Sequence, residues 1–212
     1  DMPIHLSVQA NVANYASVDF WQRQGIARII LSRELSLKEI AQIRQKCPDV
    51  ELEVFVHGAL CIAYSGRCLL SSYMRHRDSN QGACTNSCRW RYQLHEGGEN
   101  DSGDIIPTVS TDAEEVFLLQ EEQRPGELMP VYEDEHGTYI MNSKDLRAVQ
   151  HVQQLQQMGI ESIKIEGRTK SHYYVARTTQ VYRQAIDDAE AGIDSSRALM
   201  DKLESLANRG YT

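Results

Sequence analysis

The chain has 212 residues, 41% hydrophobic and 25% charged, with a formal net charge of −8. This length supports a real core in one domain, at most two, and the composition is that of an ordinary soluble globular protein. No apolar run approaches the roughly 18–20 residues needed to span a bilayer and no signal-peptide pattern opens the chain, so no membrane partner is expected.

Asp1 is not an initiator methionine, and Asp1-Met2-Pro3 runs almost at once into an alternating stretch, residues 3–9, that reads as a short strand. The start therefore reads as a cut through a longer protein. A helix from about Tyr15 to Gln24 turns Val18, Trp21 and Phe20 inward, and Gly25 ends it. Ala27 to Leu31 is apolar apart from Arg28, as suits a strand buried on both faces. Ser36 with Glu39 forms a capping box that opens a helix burying Leu37, Ile40 and Ile43; Pro48 closes it. Residues 51–56 alternate as the next strand. Strands and helices in this alternation, with short connections, predict a parallel α/β fold.

The segment from His57 to Trp90 holds four of the five cysteines, spaced Cys-x6-Cys-x15-Cys-x3-Cys at Cys61, Cys68, Cys84 and Cys88. It is expected to be a long loop at the C-terminal end of strand 51–56, with turns at Gly58, Gly66 and Gly82. Core cysteines have no reason to cluster among Arg, Ser, Asn and Gly. Four thiolates on one loop saturate either a tetrahedral zinc or an iron–sulfur cluster. Cys47, at a helix end before Pro48, is not expected to be a ligand. An odd cysteine count does not suit a secreted disulfide scaffold and points to a reducing, cytoplasmic setting.

Beyond this loop, residues 95–112 read as a mobile surface excursion rich in Gly, Asp, Ser and Glu. Strand-like pieces at 116–119 and 129–132 precede a hairpin that turns at Asp134-Glu135-His136-Gly137 and returns through 138–141. A helix from about Lys144 to Met158, a strand at 162–165 and a long helix over 171–191 resume the parallel series. The long helix is expected to bury Tyr174, Val175, Thr178, Val181, Tyr182 and Ala185, and a last helix covers 196–207. The whole of 1–212 reads as one domain interrupted by a cysteine-rich loop, 57–95, and an acidic and hairpin insertion, 96–141.

Charge is unevenly distributed. Residues 96–135 carry thirteen Asp and Glu against one Arg, a balance of −12 that leaves +4 for the remainder. The loop 57–95 holds five arginines against Asp78, and 163–183 holds Lys164, Arg168, Lys170, Arg177 and Arg183 against Glu166. Two basic zones suit a phosphate-binding face; solvated arginines are the plain alternative.

The runs Phe55-Val56-His57-Gly58-Ala59-Leu60-Cys61, Tyr64-Ser65-Gly66-Arg67-Cys68 and Asn80 to Trp90 resemble the collagenase-like peptidase family, most closely its prephenate-dependent RNA-hydroxylating branch. The likeness runs from Pro3 to Thr212. It implies a (β/α)8 TIM-like barrel of which this chain is the later part, with earlier strands upstream of Asp1. An open half-barrel has exposed edges, so a homodimer is a possible state. The resemblance further implies an iron–sulfur cluster, of 4Fe–4S type, with one ligand able to come from elsewhere in a longer chain. Its implied activity is 5-hydroxylation of the wobble uridine of tRNA, with prephenate supplying the hydroxyl group. A collagenase-like peptidase and an inactive RNA-binding fragment are the alternatives. No His-Glu-x-x-His pair and no Gly-x-Ser-x-Gly elbow supports the peptidase.

In parallel α/β folds the reacting groups follow the C-terminal ends of strands. Those ends nominate His57, Glu166 and Arg168 as catalytic groups, with His57 either a proton-transfer group, a partner of the cluster ligands or a packed histidine. Arg33, Arg67, Arg89, Asn142 and Lys170 are nominated for substrate binding, since guanidinium groups clasp carboxylate and phosphate oxygens.

Overall fold

The computed structural model describes residues 2–90, 92–99, 101–102, 105–107, 116–121, 125–126, 128–131, 133–134, 137–138, 144–167, 170–206, 208 and 211. Its first part lays down β1 (His5–Leu6), α1 (Tyr15–Arg23), β2 (Arg28–Ile30), α2 (Leu37–Lys46) and β3 (Glu51–Ala59). The cysteine segment follows, regular only in α3 (Leu70–Arg75) and short 3-10 turns. Next come β4 (Tyr92–Glu99), β5 (Ile105–Pro107), β6 (Val116–Glu121), β7 (Leu128–Val131), β8 (Glu133–Asp134) and β9 (Gly137–Thr138). The chain then returns to the main sheet through β10 (Asp145–Arg147), α4 (Val152–Gln157), β11 (Ser162–Glu166), α5 (His172–Glu190) and α6 (Ser196–Glu204).

β3 is the hub. β1 pairs in parallel with β2, β2 with β3, and β11 with β3. Strand 162–165 thus lies in the sheet that contains 51–56, as the parallel α/β reading expects. Side chains explain the helix starts. Asn14 Oδ1 accepts from Ser17 N at 2.9 Å, and Ser171 Oγ accepts from Tyr174 N at 3.2 Å. Ser36 and Glu39 form the expected reciprocal box, Ser36 N donating to Glu39 Oε2 at 2.8 Å. One face of the sheet (Ile29, Leu52, Val54, Val56) packs on Val18, Ile40, Ile43, Leu155, Tyr174, Val181, Tyr182 and Leu199.

Several expectations are corrected. Strand 3–9 shrinks to His5–Leu6, because Ser7 caps a 3-10 turn at Val8–Ala10. Phe20 stays exposed, edge-on to the half-buried Trp21, and Val175 is exposed because it lies off the α5 stripe formed by Tyr174, Thr178, Val181 and Ala185. The helix expected from Lys144 begins only at Val152. Residues 145–147 are instead a strand, since β3 runs three residues past Val56 and offers its end to antiparallel pairing: Asp145 with Ala59, Leu146 with Gly58, Arg147 with His57. Part of 95–112 is also strand rather than loose excursion. β4, β5, β6 and β7 form an antiparallel sheet in the order β5-β4-β6-β7, and β8 pairs with β9 across the expected turn, Glu133 with Thr138 and Asp134 with Gly137; residues 135–136 and the expected return through 139–141 lie outside the described residues. No helix among the described residues is long and apolar enough to cross a membrane.

Candidate metal centre

Cys61, Cys68, Cys84 and Cys88 all line one cavity of about 150 Å³. Gln9 after β1, Arg33 after β2, Leu60 after β3 and Glu166 at the end of β11 are also part of its wall. The cavity therefore lies at the C-terminal ends of the parallel strands. The sulfurs are not paired in disulfides, whereas Cys47 is buried in the core away from them.

Local polar bonds hold the cysteine loop in place. Ser65 donates from N and Oγ to Glu34 Oε1, at 2.8 and 3.1 Å, which ties the loop to the segment after β2. Asn80 clamps the Cys68 backbone from both sides: its Oδ1 accepts from Cys68 N at 3.1 Å and its Nδ2 donates to Cys68 O at 3.0 Å. Thr85 N donates to Ser71 Oγ at 3.1 Å, joining the Cys84–Cys88 turn to α3. Asn86, left-handed at φ 55°, aims its N–H at Cys84 Sγ, 3.3 Å away. An N–H pointed at sulfur stabilises a thiolate, the form that binds metal.

Arg33 reaches this cavity from outside the loop. Its Nη1 donates to Cys61 Sγ at 3.4 Å and its Nη2 to Glu166 Oε2 at 3.2 Å. The guanidinium carbon stands 4.0 Å from the Phe55 ring centroid. Two nominated residues, Arg33 and Glu166, are thus brought together with the sulfurs.

His57 is placed elsewhere. Strict alternation would put it on the face of Glu53 and Phe55, but β3 carries a bulge: Lys164 pairs with Phe55 and Ile165 with His57, leaving Val56 as the extra residue. The side chain turns to the helix side, 1% exposed, among the rings of Tyr174, Tyr182 and Tyr211. The Tyr182 hydroxyl donates to Val56 O at 2.6 Å, so at 3.3 Å from His57 Nδ1 it is the acceptor. That assigns the ring proton to Nδ1. Burial lowers the His57 pKa to about 4, with the Asp145 carboxylate acting in the opposite direction.

This depression has a sign. The unfolded chain binds the proton near the ordinary value of 6.5 and the folded one only near 4. Stability is therefore full above about pH 6.5 and is lost as pH falls toward 4, by about 3 kcal/mol in total. Urea unfolding at pH 7 and pH 5 checks it: wild type is expected to lose about 2 kcal/mol more than His57→Gln over that interval. Equal losses in the two proteins would contradict a neutral, buried His57.

Lys170 turns to Asp145 rather than to the cavity, with Nζ 3.0 Å from the fully buried Oδ2. Arg67 is exposed and is not part of the cavity wall. Arg168 and Asn142 lie outside the described residues, as does the Arg89 side chain. Asn80, Asn86 and Glu34 were not nominated from sequence. The first two stood inside the cysteine motifs, where an amide between turn residues signals a backbone clamp.

The family model for Peptidase family U32 matches residues 1–212. The chain is 60% identical to tRNA hydroxylation protein P of Escherichia coli (strain K12), a match over 100% of this chain and 50% of that protein. It is 38% identical to tRNA hydroxylation protein P1 of Bacillus subtilis (strain 168), over 99% of this chain and 44% of that one. A protein named Collagenase from Porphyromonas gingivalis is 28% identical over 98% of this chain and 46% of its own length. The chain thus spans about half the length of the curated relatives it matches. No solved structure matches it. With the family model matched from first residue to last and the cysteine motifs gathered on one cavity, the chain belongs to Peptidase family U32.

Proposed function

We propose that the whole protein hydroxylates C5 of the wobble uridine of tRNA, with prephenate as hydroxyl source and an iron–sulfur cluster held by Cys61, Cys68, Cys84 and Cys88. The observation that carries this reading is the convergence of all four cysteines on one cavity at the strand ends. The names of the relatives at 60% and 38% identity support the tRNA part. The parallel strands neighbour one another in sequential order, β1-β2-β3-β11, as in a barrel wound in one direction, which supports a (β/α)8 architecture.

Four cysteines lining one cavity are a donor set that either a tetrahedral zinc or a four-iron cluster would take, and the family resemblance favours the cluster. Among the described residues no three His, Cys, Asp or Glu side chains are already drawn together as for a metal ion. When bound, such a cluster supplies one-electron chemistry beside the substrate. The chain's own residues fix the thiolates through Asn80, Asn86 and Arg33. With the Arg33 fork engaged, Arg67 and Arg168 are the cations proposed for the carboxylates of prephenate.

On the cysteine segment Tyr64, which lines the cavity, Leu69 and Tyr73 are exposed at 69%, 75% and 71%. Interleaved with Arg67, Arg75 and Arg77, they suit unpaired nucleotides: rings stack on bases and arginines meet phosphates. Binding of an anticodon stem-loop is expected to weaken by about 0.7 log units per phosphate contact for each log unit of salt. Tyr64→Ala is expected to cost about 1–3 kcal/mol. A flat salt response in anisotropy titrations would remove the RNA reading.

The direct test is nucleoside mass spectrometry of tRNA from cells lacking the full-length protein and any oxygen-dependent parallel route. Loss of 5-hydroxyuridine derivatives, restored by the wild-type gene, is expected; unchanged levels would overturn the proposal. Gelatin cleavage by the purified full-length protein would favour the peptidase class instead, the reading suggested by the relative named Collagenase.

A further inference from the structure

We propose that Arg33 is a positioning residue of the sulfur site, holding Cys61 toward the cavity and raising the reduction potential of the cluster through its bond to Sγ. The assignment rests on the iron–sulfur reading above.

Three contacts fix the guanidinium on three sides. Cys61 Sγ lies 3.4 Å from Nη1, Glu166 Oε2 lies 3.2 Å from Nη2, and the Phe55 ring centroid lies 4.0 Å from the central carbon. The Arg33 side chain is only 12% exposed. A guanidinium carries five N–H donors in a fixed fork; one on each Nη is engaged here by the protein, and Nε is buried without a hydrogen-bond partner among the described residues. A fork held on both arms by the protein's own groups suits a positioning role.

Charge explains why the residue is needed. Cys61 as a thiolate and Glu166 as a carboxylate are both anions on one cavity wall, and the guanidinium stands between them. Without it they repel, and Cys61, the exposed one among the four cavity sulfurs, is free to rotate toward solvent. Cys84 and Cys68 are clamped from their own segment by Asn86 and Asn80. For Cys61 the donor instead comes from 28 residues earlier, from the segment after β2. A lysine cannot reproduce this, because a point charge does not bridge two partners and stack on a ring together.

Reduction adds one electron to the cluster and its thiolates, with no bond made or broken at Arg33. A cation donating to a ligand sulfur favours the more negative, reduced state, so its removal lowers the potential. EPR-monitored redox titration of the anaerobically reconstituted chain reads this directly. Arg33→Gln is expected to shift the oxidised-to-reduced ratio at fixed potential about tenfold toward oxidised, which is about 59 mV for a one-electron couple. A role in folding alone would not move the potential.

Phe55→Leu gives a second reading, since it keeps both charges and removes only the ring beneath the guanidinium. A smaller shift of the same sign supports the proposal even where Arg33→Gln does not fold. A loaded wild type with unmoved variants overturns the Arg33 assignment alone. A wild type that takes up no cluster overturns the cofactor reading, and the assignment falls with it.

Discussion

Alanine at Cys61, Cys68, Cys84 or Cys88 is expected to abolish uptake of the proposed cluster and, in the full-length protein, the proposed restoration of hydroxylated uridine to tRNA. Each sulfur lines the same cavity, and a four-iron cluster held by four thiolates has no spare ligand to replace a missing one. Cys47→Ala is the internal control. Cys47 is 3% exposed and packs in the main core, so the expected cost is a small cavity of about 1–2 kcal/mol with full iron content. Iron and sulfide per chain, measured after anaerobic reconstitution, separate the two classes. Full iron in any of the four cavity variants would exclude that cysteine from the ligand set. Stoichiometric zinc without iron in the wild type would keep the site and discard the cluster.

A methyl group at Gly58 is expected to damage the fold as much as removal of a large core side chain. Gly58 sits in β3 with φ +105°, and a Cβ there would overlap the carbonyl oxygen of Glu166 on the neighbouring strand. The opposite flank is closed as well, because Leu146 of β10 pairs with the same residue. Neither neighbour is a flexible side chain end, so relief requires a shift of backbone. A left-handed non-glycine residue costs about 1–3 kcal/mol and forced overpacking about 1–3 more. The sum, roughly 2–6 kcal/mol, is a large share of the about 5–15 kcal/mol that holds a domain together. Gly66→Ala carries the same penalty at the loop, where φ is +75° and a Cβ would overlap Gln9 O. The two differ in consequence. Gly58→Ala should lower the midpoint of urea unfolding for the whole sheet. Gly66→Ala should mainly release the cysteine loop and lower iron uptake. An unchanged midpoint for Gly58→Ala would mean that β3 and β11 do not approach as closely as described.

The case of His57 shows where one-dimensional reading stops. From sequence it stood one strand-end before Cys61, with a proton-transfer group, a partner of the metal site and a packed histidine all open; the structure shows the packed one. Alternation gave no warning, because the bulge at Val56 is created by how β11 pairs with β3 and moves His57 onto the helix face. Likewise, Lys170 was legible as a cation in a charged turn, but not as the partner of Asp145, 25 residues away. The strand at 145–147 was hidden for a related reason. Its sequence has no strong alternation of its own, and it is extended because β3 presents an edge to it.

Local signals in the sequence determined the elements whose causes are local: the capping box at Ser36 and Glu39, the apolar stripe of α5, the parallel series of β1, β2, β3 and β11, and the grouping of four cysteines on one segment. Periodicity and caps act within a few residues, so a chain read by itself reports them. Only the tertiary structure decided what faces what. It brought Arg33 from one loop and Glu166 from another strand onto the cysteine cavity, and it turned His57 away from it. Those outcomes depend on register between distant strands, and a one-residue bulge is enough to exchange the faces of a sheet.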